Sequence, residues 1–109
     1  MRINIKPLSV NEAWQGKRFK SPKYAQYERD VLFLLPQIKV PKSELSLTIR
    51  VGYSNKASDI DNCVKPFVDI LQKKYEFNDS QIYELHVFKY IVEKGSEFID
   101  FEFQTMLIN

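Results

Sequence analysis

The chain has 109 residues, enough for one domain around one hydrophobic core, and contains no apolar run of the roughly 20 residues that a membrane-spanning helix requires. Its N-terminus lacks a secretory signal and its single cysteine, Cys63, cannot form an internal disulfide, so we expect a cytoplasmic protein in one domain, residues 1–109. The net charge of +2 conceals an asymmetry, because residues 1–58 carry 11 Lys or Arg against 4 Asp or Glu, and residues 59–109 carry 5 against 10. This division indicates a basic surface suited to a polyanion and an acidic surface suited to cations, although a solvated basic surface would explain the first half equally well.

The first predicted element is a short strand. In residues 2–6, RINIK, apolar and polar side chains alternate, which is typical of a strand. The polar segment after it, residues 7–23, is predicted to be a loop anchored by Trp14 or Phe19. Four cations lie in this segment: Lys17, Arg18, Lys20 and Lys23.

A helix is predicted to follow, from about residue 22 to residue 35. Ser21 can cap free amides with its hydroxyl, and Pro22 loses no needed hydrogen bond at the first helical position. Pro36 ends the helix, because proline cannot continue it.

The middle of the chain predicts a second strand and a second helix. Residues 44–54 alternate apolar and polar side chains, which indicates a strand with one solvated side, and Gly52 is a candidate position for a bulge. In the next segment, apolar residues recur at helical spacing: Val64, Phe67, Val68 and Leu71. Pro66 requires this helix to begin near residues 61–63 or to bend there, since a proline deep inside a helix removes a backbone hydrogen bond.

Two further alternating segments, residues 81–93 and 96–108, are joined by a turn containing Gly95, which predicts a hairpin. The predicted fold class is α+β: a mixed or largely antiparallel sheet of about four strands with two helices packed on it, in the order strand, helix, strand, helix, strand, strand. One side of the penultimate strand is too aromatic for a purely solvated surface and is a candidate dimer interface: Glu84, His86, Phe88 and Tyr90. This position favours a structural or interface role for the only histidine over a catalytic one.

Acidic residues are concentrated where the second strand gives way to the second helix. Asp59 and Asp61 flank Ile60 there, and a helix cap, worth about 1 kcal/mol, explains one of them but not both. Lys65 and Asp69 follow at four-residue intervals, so one interpretation is a surface ion-pair ladder worth a few tenths of a kcal/mol per pair. The alternative is a functional site. Two carboxylates about 4 Å apart repel by roughly 4 kcal/mol at an effective dielectric near 20, which favours a bound cation, and Mg²⁺ is a natural partner for aspartate oxygens.

Asp79 is the candidate for a third ligand. If the helix ends near residue 73, the six extended residues after it span about 20 Å, enough to return to the start of the helix roughly 17 Å away. A turn residue before a strand is the alternative interpretation of Asp79. A calcium-binding EF-hand loop is excluded, because its sixth position, counted from Asp59, is Val64 and not glycine.

Three segments resemble the motifs of a known family. DIDNCVKPFVDIL, residues 59–71, is similar to the pattern D-x-D-N-x-x-K-x-x-x-D-x-L of the RusA-type Holliday junction resolvases, the crossover junction endodeoxyribonucleases of bacteria and their phages. NDSQI, residues 78–82, resembles the second acidic motif of that family, and PLSVNEAW, residues 7–14, resembles its N-terminal motif. Asn78 is a departure, because some relatives carry an acid at its position.

The resemblance implies a homodimer that binds four-way DNA junctions and makes paired symmetric nicks with Mg²⁺, or with Mn²⁺ in its place. Carried over by position, the catalytic residues are these four: Asp59, Asp61, Lys65 and Asp79. The three aspartates of this set are the implied metal ligands, while Asn62 and Asp69 match motif positions that we assign to orientation or support. In this interpretation the four cations of the N-terminal loop bind DNA phosphates. No organic cofactor and no membrane partner is expected.

Two rival functions stay open at this point. In the first, the chain is a non-catalytic module for junctions or other DNA, and the acids only cap a helix and tune specificity. It predicts that Asp59→Asn and Asp79→Asn leave function intact and that divalent ions do not change the melting temperature. In the second, the chain is a metal-dependent nuclease for another branched DNA, which parallel assays with duplex, flap and single-stranded DNA would separate.

Overall fold

The structure, a computed structural model, describes residues 1–15 and 19–106, apart from the side chains of Gln15 and Phe19. The elements in chain order are β1 (Arg2–Ile3), α1 (Val10–Ala13), β2 (Trp14–Gln15), β3 (Phe19–Lys20), α2 (Pro22–Leu34), β4 (Leu45–Tyr53), α3 (Val64–Tyr75), a 3-10 turn (Asp79–Gln81), β5 (Ile82–Ile91) and β6 (Phe98–Thr105). The predicted α+β class is confirmed. Among the helices described, none has the length and apolar character needed to cross a membrane.

The main sheet has four strands in the order β1-β6-β4-β5. β4 is parallel to β5 and antiparallel to β6, so the predicted hairpin between the last two strands is wrong: β4 lies between them. The amide of Val92 donates to the carbonyl oxygen of Tyr53 at 2.7 Å, and Gly95 adopts a φ of 96° as residues 92–97 cross the end of β4. The position of β4 between β5 and β6 gives this mostly buried strand two neighbours and leaves β5 at an edge of the sheet.

Both long helices pack on one face of the sheet. Ser21 Oγ accepts from the amide of Tyr24 at 3.1 Å, which confirms the predicted cap of α2. α3 starts at Val64, slightly later than expected, and Pro66 is its third residue, where its missing N–H removes no bond within the helix. The core lies between helices and sheet, and its largest fully buried side chains include Phe67, Ile70, Leu71, Leu47, Ile49, Val51 and Phe101.

The opposite face of the sheet carries no helix among the described elements, and an aromatic ring is buried on it. Gly52 pairs with Phe98, and a Cβ at residue 52 would overlap the Phe98 ring. The Arg2 guanidinium carbon lies 3.8 Å from the centre of that ring. Gly52 therefore provides space and does not mark the bulge expected there; the irregularity in the β4–β5 pairing falls between Leu45 and Ser46.

The N-terminal segment is more regular than the predicted loop. It contains the four-residue α1 and a small hairpin of β2 and β3. Leu8 and Ala13 are buried in the core, whereas Trp14 is 38% exposed and so is not the expected anchor. Lys17 and Arg18, two of the predicted DNA-binding residues, lie outside the described residues.

An ion pair between the helices gives a testable stability prediction. Glu28 on α2 accepts a hydrogen bond from Lys73 on α3 at 2.9 Å, and Lys20 lies 3.7 Å away. Partial burial alone would raise the pKa of Glu28, but the hydrogen bond and charge of Lys73, with help from Lys20, outweigh it and lower the pKa below 4.5. A depressed carboxyl pKa contributes stability that is present above the unfolded-state pKa and is lost as the pH falls through the folded-state pKa.

Glu28→Gln should therefore lower the free energy of unfolding by about 1 kcal/mol at pH 7. The difference from wild type should shrink as the pH falls below 4.5, and chemical unfolding at several pH values measures it. Glu93→Gln, at an exposed position in the β5–β6 connection, is the matched control. A loss that stayed constant down to acid pH would contradict the ion-pair explanation.

Candidate active-site groove

Asp59 and Asp61 lie in the segment that connects β4 to α3. The amide of Asn62 donates to the carbonyl oxygen of Asp59 at 3.3 Å, and the amide of Val64 donates to that of Asp61 at 3.1 Å, which forms two overlapping turns. Cys63 occupies the N-cap position of α3, and no side chain caps this helix. Both carboxylates are exposed, so helix capping does not explain either aspartate.

Lys65 and Asp69 form the charged side of α3. Their side chains make an ion pair at 2.9 Å, with Lys65 61% and Asp69 27% exposed. Gln72 donates to the same oxygen of Asp69 at 3.5 Å. Half of the predicted ladder is thus present, whereas no pair between Lys65 and Asp61 occurs within the described residues.

Asp79 is held at the other end of α3. Its backbone N–H donates to Gln72 Oε1 at 2.9 Å. Asn78 and Gln81 form a capping box around the 3-10 turn, in which Asn78 Oδ1 accepts from the amide of Ser80 at 2.9 Å. The turn interpretation of Asn78 and Asp79 is therefore correct for the backbone, and it leaves the Asp79 carboxylate exposed.

A groove of about 500 Å³ connects Asp61 with Lys65, Asp69 and Asp79, whereas Asp59 does not line it. It runs between α3 and β5, with charged and apolar residues in its lining: Asp61, Val64, Lys65, Val68, Asp69, Asp79, Ile82 and Leu85. Three carboxylates against one ammonium make this groove acidic, as the charge division of the sequence suggested. Asn62 lines a separate polar pocket of about 330 Å³.

The three predicted metal ligands are not gathered in one place within the described part of the chain. In residues 1–15 and 19–106, no three His, Cys, Asp or Glu side chains are close enough to hold a metal ion. Asp61 precedes α3, whereas Asp79 is bonded to Gln72, which lies about 12 Å along the helix axis from Val64. The oxygen donors are of the type that Mg²⁺ prefers, but they are not close together within the described residues.

Cys63 is unsuited to catalysis. Its side chain is fully buried, and burial raises the pKa of the thiol above its usual range. A buried thiol with a raised pKa is a poor nucleophile. Cys63 therefore belongs to the core beneath the segment of the two aspartates.

Of the four predicted DNA-binding residues, the two that the structure describes, Lys20 and Lys23, are already paired with carboxylates. Lys20 lies 3.7 Å from Glu28 and 4.6 Å from the centre of the Tyr24 ring. Lys23 lies 3.7 Å from Glu12 and is 72% exposed. Lys23 is thus the more accessible of the two for a phosphate.

The β5 edge exposes several large apolar side chains near the groove. Exposed side chains occur on both of its faces: Tyr83, Leu85, Phe88, Tyr90 and Ile91, each between 46% and 62% exposed. His86 is also exposed there, with its Nε2 4.0 Å from Glu84 Oε1. A ten-residue edge strand with this composition is available for pairing with another strand.

Two residues of this region were not predicted. Gln72 connects Asp69 to Asp79 through its side-chain amide, and its place three residues after Asp69 was the available signal. Lys89 donates to the backbone just before Asp59. Its signal was a lysine at a strand position between Val87 and Ile91, where an apolar residue is expected.

Fold and groove define an α+β domain with an acidic cleft beside an edge strand. The model of the family described as Endodeoxyribonuclease RusA matches residues 6–99, and the chain belongs to this family. None of the curated proteins compared with the chain matches it. Family membership indicates a Holliday junction-resolving endonuclease, with DNA as its substrate, and it confirms the resemblance found in the motifs.

Proposed function

We propose that the chain is a Mg²⁺-dependent endonuclease that resolves four-way DNA junctions by paired symmetric nicks, acting as a homodimer. The observation that carries the proposal is the acidic groove of a RusA-family chain, in which Asp61 and Lys65 lie beside the exposed edge strand β5. The proposed metal ligands are Asp59, Asp61 and Asp79. A divalent cation held there supplies Lewis-acid chemistry, which lowers the pKa of water and neutralises charge on a phosphodiester.

The other groups of the groove act on the phosphate. Lys65 is 61% exposed, so its ammonium can move from Asp69 to a phosphate oxygen and stabilise the negative charge that develops there. Before DNA binds, the ion pair with Asp69 keeps this ammonium oriented. Lys23 and the cations outside the described residues would contact phosphates of the junction arms, which predicts binding that weakens with salt.

The homodimer is proposed to form through β5. The amide of Val92 points toward β4, and because successive residues of a strand alternate in direction, the amides of Val87, Lys89 and Ile91 point away from the sheet. These outward groups, together with the exposed apolar side chains, suit an antiparallel pairing with the same strand of a second subunit. Two subunits would also supply the two sites that paired nicking requires.

This dimer would supply the arrangement that the metal site lacks. In a two-fold antiparallel pairing, the start of one β5 lies beside the end of the other. Asp79 is the first residue of the 3-10 turn that directly precedes β5, and Lys89 near the end of β5 is bonded to the segment of Asp59. We therefore propose that each site combines Asp59 and Asp61 of one subunit with Asp79 of the partner subunit.

A cleavage assay tests the proposed activity. Purified protein is incubated with a four-way junction, a duplex, a flap and a single strand of matched sequence, with Mg²⁺ or with EDTA. We expect symmetric nicks in two strands of the junction, only with the divalent ion, at least about 100-fold faster than cutting of the duplex. Junction binding without cutting, and a melting temperature unchanged by Mg²⁺, would favour the non-catalytic module; preferred cutting of the flap would favour the nuclease for another branched DNA.

A further inference from the structure

Lys89 holds the segment that carries the first two aspartates. Its ammonium donates a hydrogen bond to the carbonyl oxygen of Lys56 at 2.9 Å and another to the carbonyl oxygen of Ser58. The Nζ atom also lies 6.0 Å from the centre of the Tyr53 ring. A lysine has three N–H donors and no acceptor, so two of the three are used on the backbone immediately before Asp59.

Lys89 occupies a half-buried position on β5, where its charge needs hydrogen-bond partners. It is paired with Val51 of β4, and its neighbours on the same side of β5 are Val87 and Ile91. A half-buried ammonium among aliphatic side chains is costly unless hydrogen bonds compensate for lost water. Within the described residues, the groups that compensate for this cost are the two neutral carbonyl groups of the segment. Their hydrogen bonds to the ammonium tie the segment to the strand.

In the part of the chain that the structure describes, residues 55–58 make only local hydrogen bonds besides those from Lys89, while at the flanks Ser54 donates to Glu97 and Asn62 accepts from the amide of Val10. Asn55 Oδ1 accepts from the amide of Ala57 at 2.8 Å, and the carbonyl oxygen of Asn55 accepts from the amide of Ser58 at 3.1 Å. Both bonds are local and fix the shape of the turn, not its place on the sheet. The bonds from Lys89 join this turn to an element 31 to 33 residues away in the sequence.

We propose that Lys89 is a positioning residue for the cleavage site: its ammonium fixes residues 56–58 against β5 and thereby sets where the carboxylates of Asp59 and Asp61 lie. The inference rests on the proposed function, because it assigns these carboxylates a task that depends on their position. Lys89 contacts no substrate in this role. Since β5 is also the proposed dimer edge, the same residue ties the two aspartates to the strand that the partner subunit would contact.

Lys89→Met tests the proposal, because it keeps an aliphatic stem and removes all three donors. We expect hydrogen exchange of the amides in residues 56–61 to become at least about tenfold faster. Mn²⁺ binding, measured by calorimetry without DNA, should weaken by about tenfold, and kcat for junction cleavage should fall by about tenfold to 100-fold. The KM for the junction should change by less than about twofold, since Lys89 does not contact DNA in this proposal.

Two companion variants separate positioning from general effects of charge and packing. Lys94→Met makes the same charge change at an exposed position of the β5–β6 connection and should leave all four measurements at wild-type values. Lys89→Arg retains N–H donors and should recover part of the kcat. If Lys89→Met does not fold, Lys89→Gln, which keeps neutral donors on a shorter stem, takes its place in the same measurements.

Different results would contradict the role of Lys89 and the proposed function. A folded Lys89→Met protein with wild-type exchange in residues 56–61, wild-type Mn²⁺ affinity and wild-type kcat would overturn the role of Lys89 while leaving the proposed function intact. A wild-type protein that neither binds Mn²⁺ nor cuts junctions would contradict the proposed function instead. In that case the exchange of the segment would still show whether Lys89 anchors it.

Discussion

Replacing Asp61 with asparagine is expected to lower the rate of junction cleavage by at least about 100-fold and to leave junction affinity within about twofold of wild type. Asparagine keeps the size of the side chain and removes the charge that a cation needs. The Asp61 carboxylate is exposed, lines the groove and caps no helix, so the fold does not depend on its charge. Single-turnover cleavage with Mg²⁺ and a gel-shift titration measure the two quantities separately.

The matched control is Asp30→Asn, which removes an exposed carboxylate from α2. Asp30 accepts a hydrogen bond from Gln26 of the same helix at 2.8 Å and does not line the groove between α3 and β5. It should cut junctions at the wild-type rate. Cleavage by Asp61→Asn at the wild-type rate, with an unchanged melting temperature, would show that Asp61 is not part of the site.

The local elements of the fold followed from the sequence where short-range physics decides them. The start of α2 depends on a hydroxyl cap and a proline, both readable from Ser21 and Pro22. The buried side of α3 followed from the spacing of its apolar residues. In each case the partners lie within a few residues of each other, so the pattern itself contains the interaction.

Strand pairing could not be predicted in the same way. β5 and β6 have the alternation and the glycine turn of a hairpin, yet β4 lies between them. The strand order depends on which arrangement gives β4 a neighbour on both sides. That involves contacts between residues some 50 positions apart, which no local pattern contains. Gly52 is a similar case, because its role depends on Phe98 of a neighbouring strand.

The features of the candidate site that could be predicted are likewise the ones that depend on local spacing. The motif located Asp59, Asp61 and Lys65 on one continuous segment, and the four-residue spacing predicted the Lys65–Asp69 ion pair that the structure contains. The position of Asp79 depends on the path of the chain after α3. The number of residues in that stretch sets only an upper limit on how far the chain can return. Lys89 could not be predicted, because its hydrogen bonds go to backbone groups 33 and 31 residues away in the sequence. The bond from the Asp79 amide to Gln72 spans seven residues and depends on the same path of the chain after α3.

Mixed dimers test most directly the proposal that Asp79 acts across the dimer, because they give the largest contrast. Asp61→Asn and Asp79→Asn subunits are combined with different affinity tags, and the heterodimer is purified. If the ligands come from different subunits, this heterodimer has one site with both changes and one intact site. If they come from the same subunit, both sites are damaged.

The measurement is the nicking rate of a four-way junction by this heterodimer. We predict about half the wild-type nicking rate, confined to one strand per junction, whereas each parental homodimer is at least about 100-fold slower than wild type. The reciprocal control pairs a wild-type subunit with an Asp61→Asn/Asp79→Asn subunit, and it should be inactive. A silent first heterodimer that still binds junctions, together with an active reciprocal one, would contradict the shared site and place all three aspartates of each site in one chain.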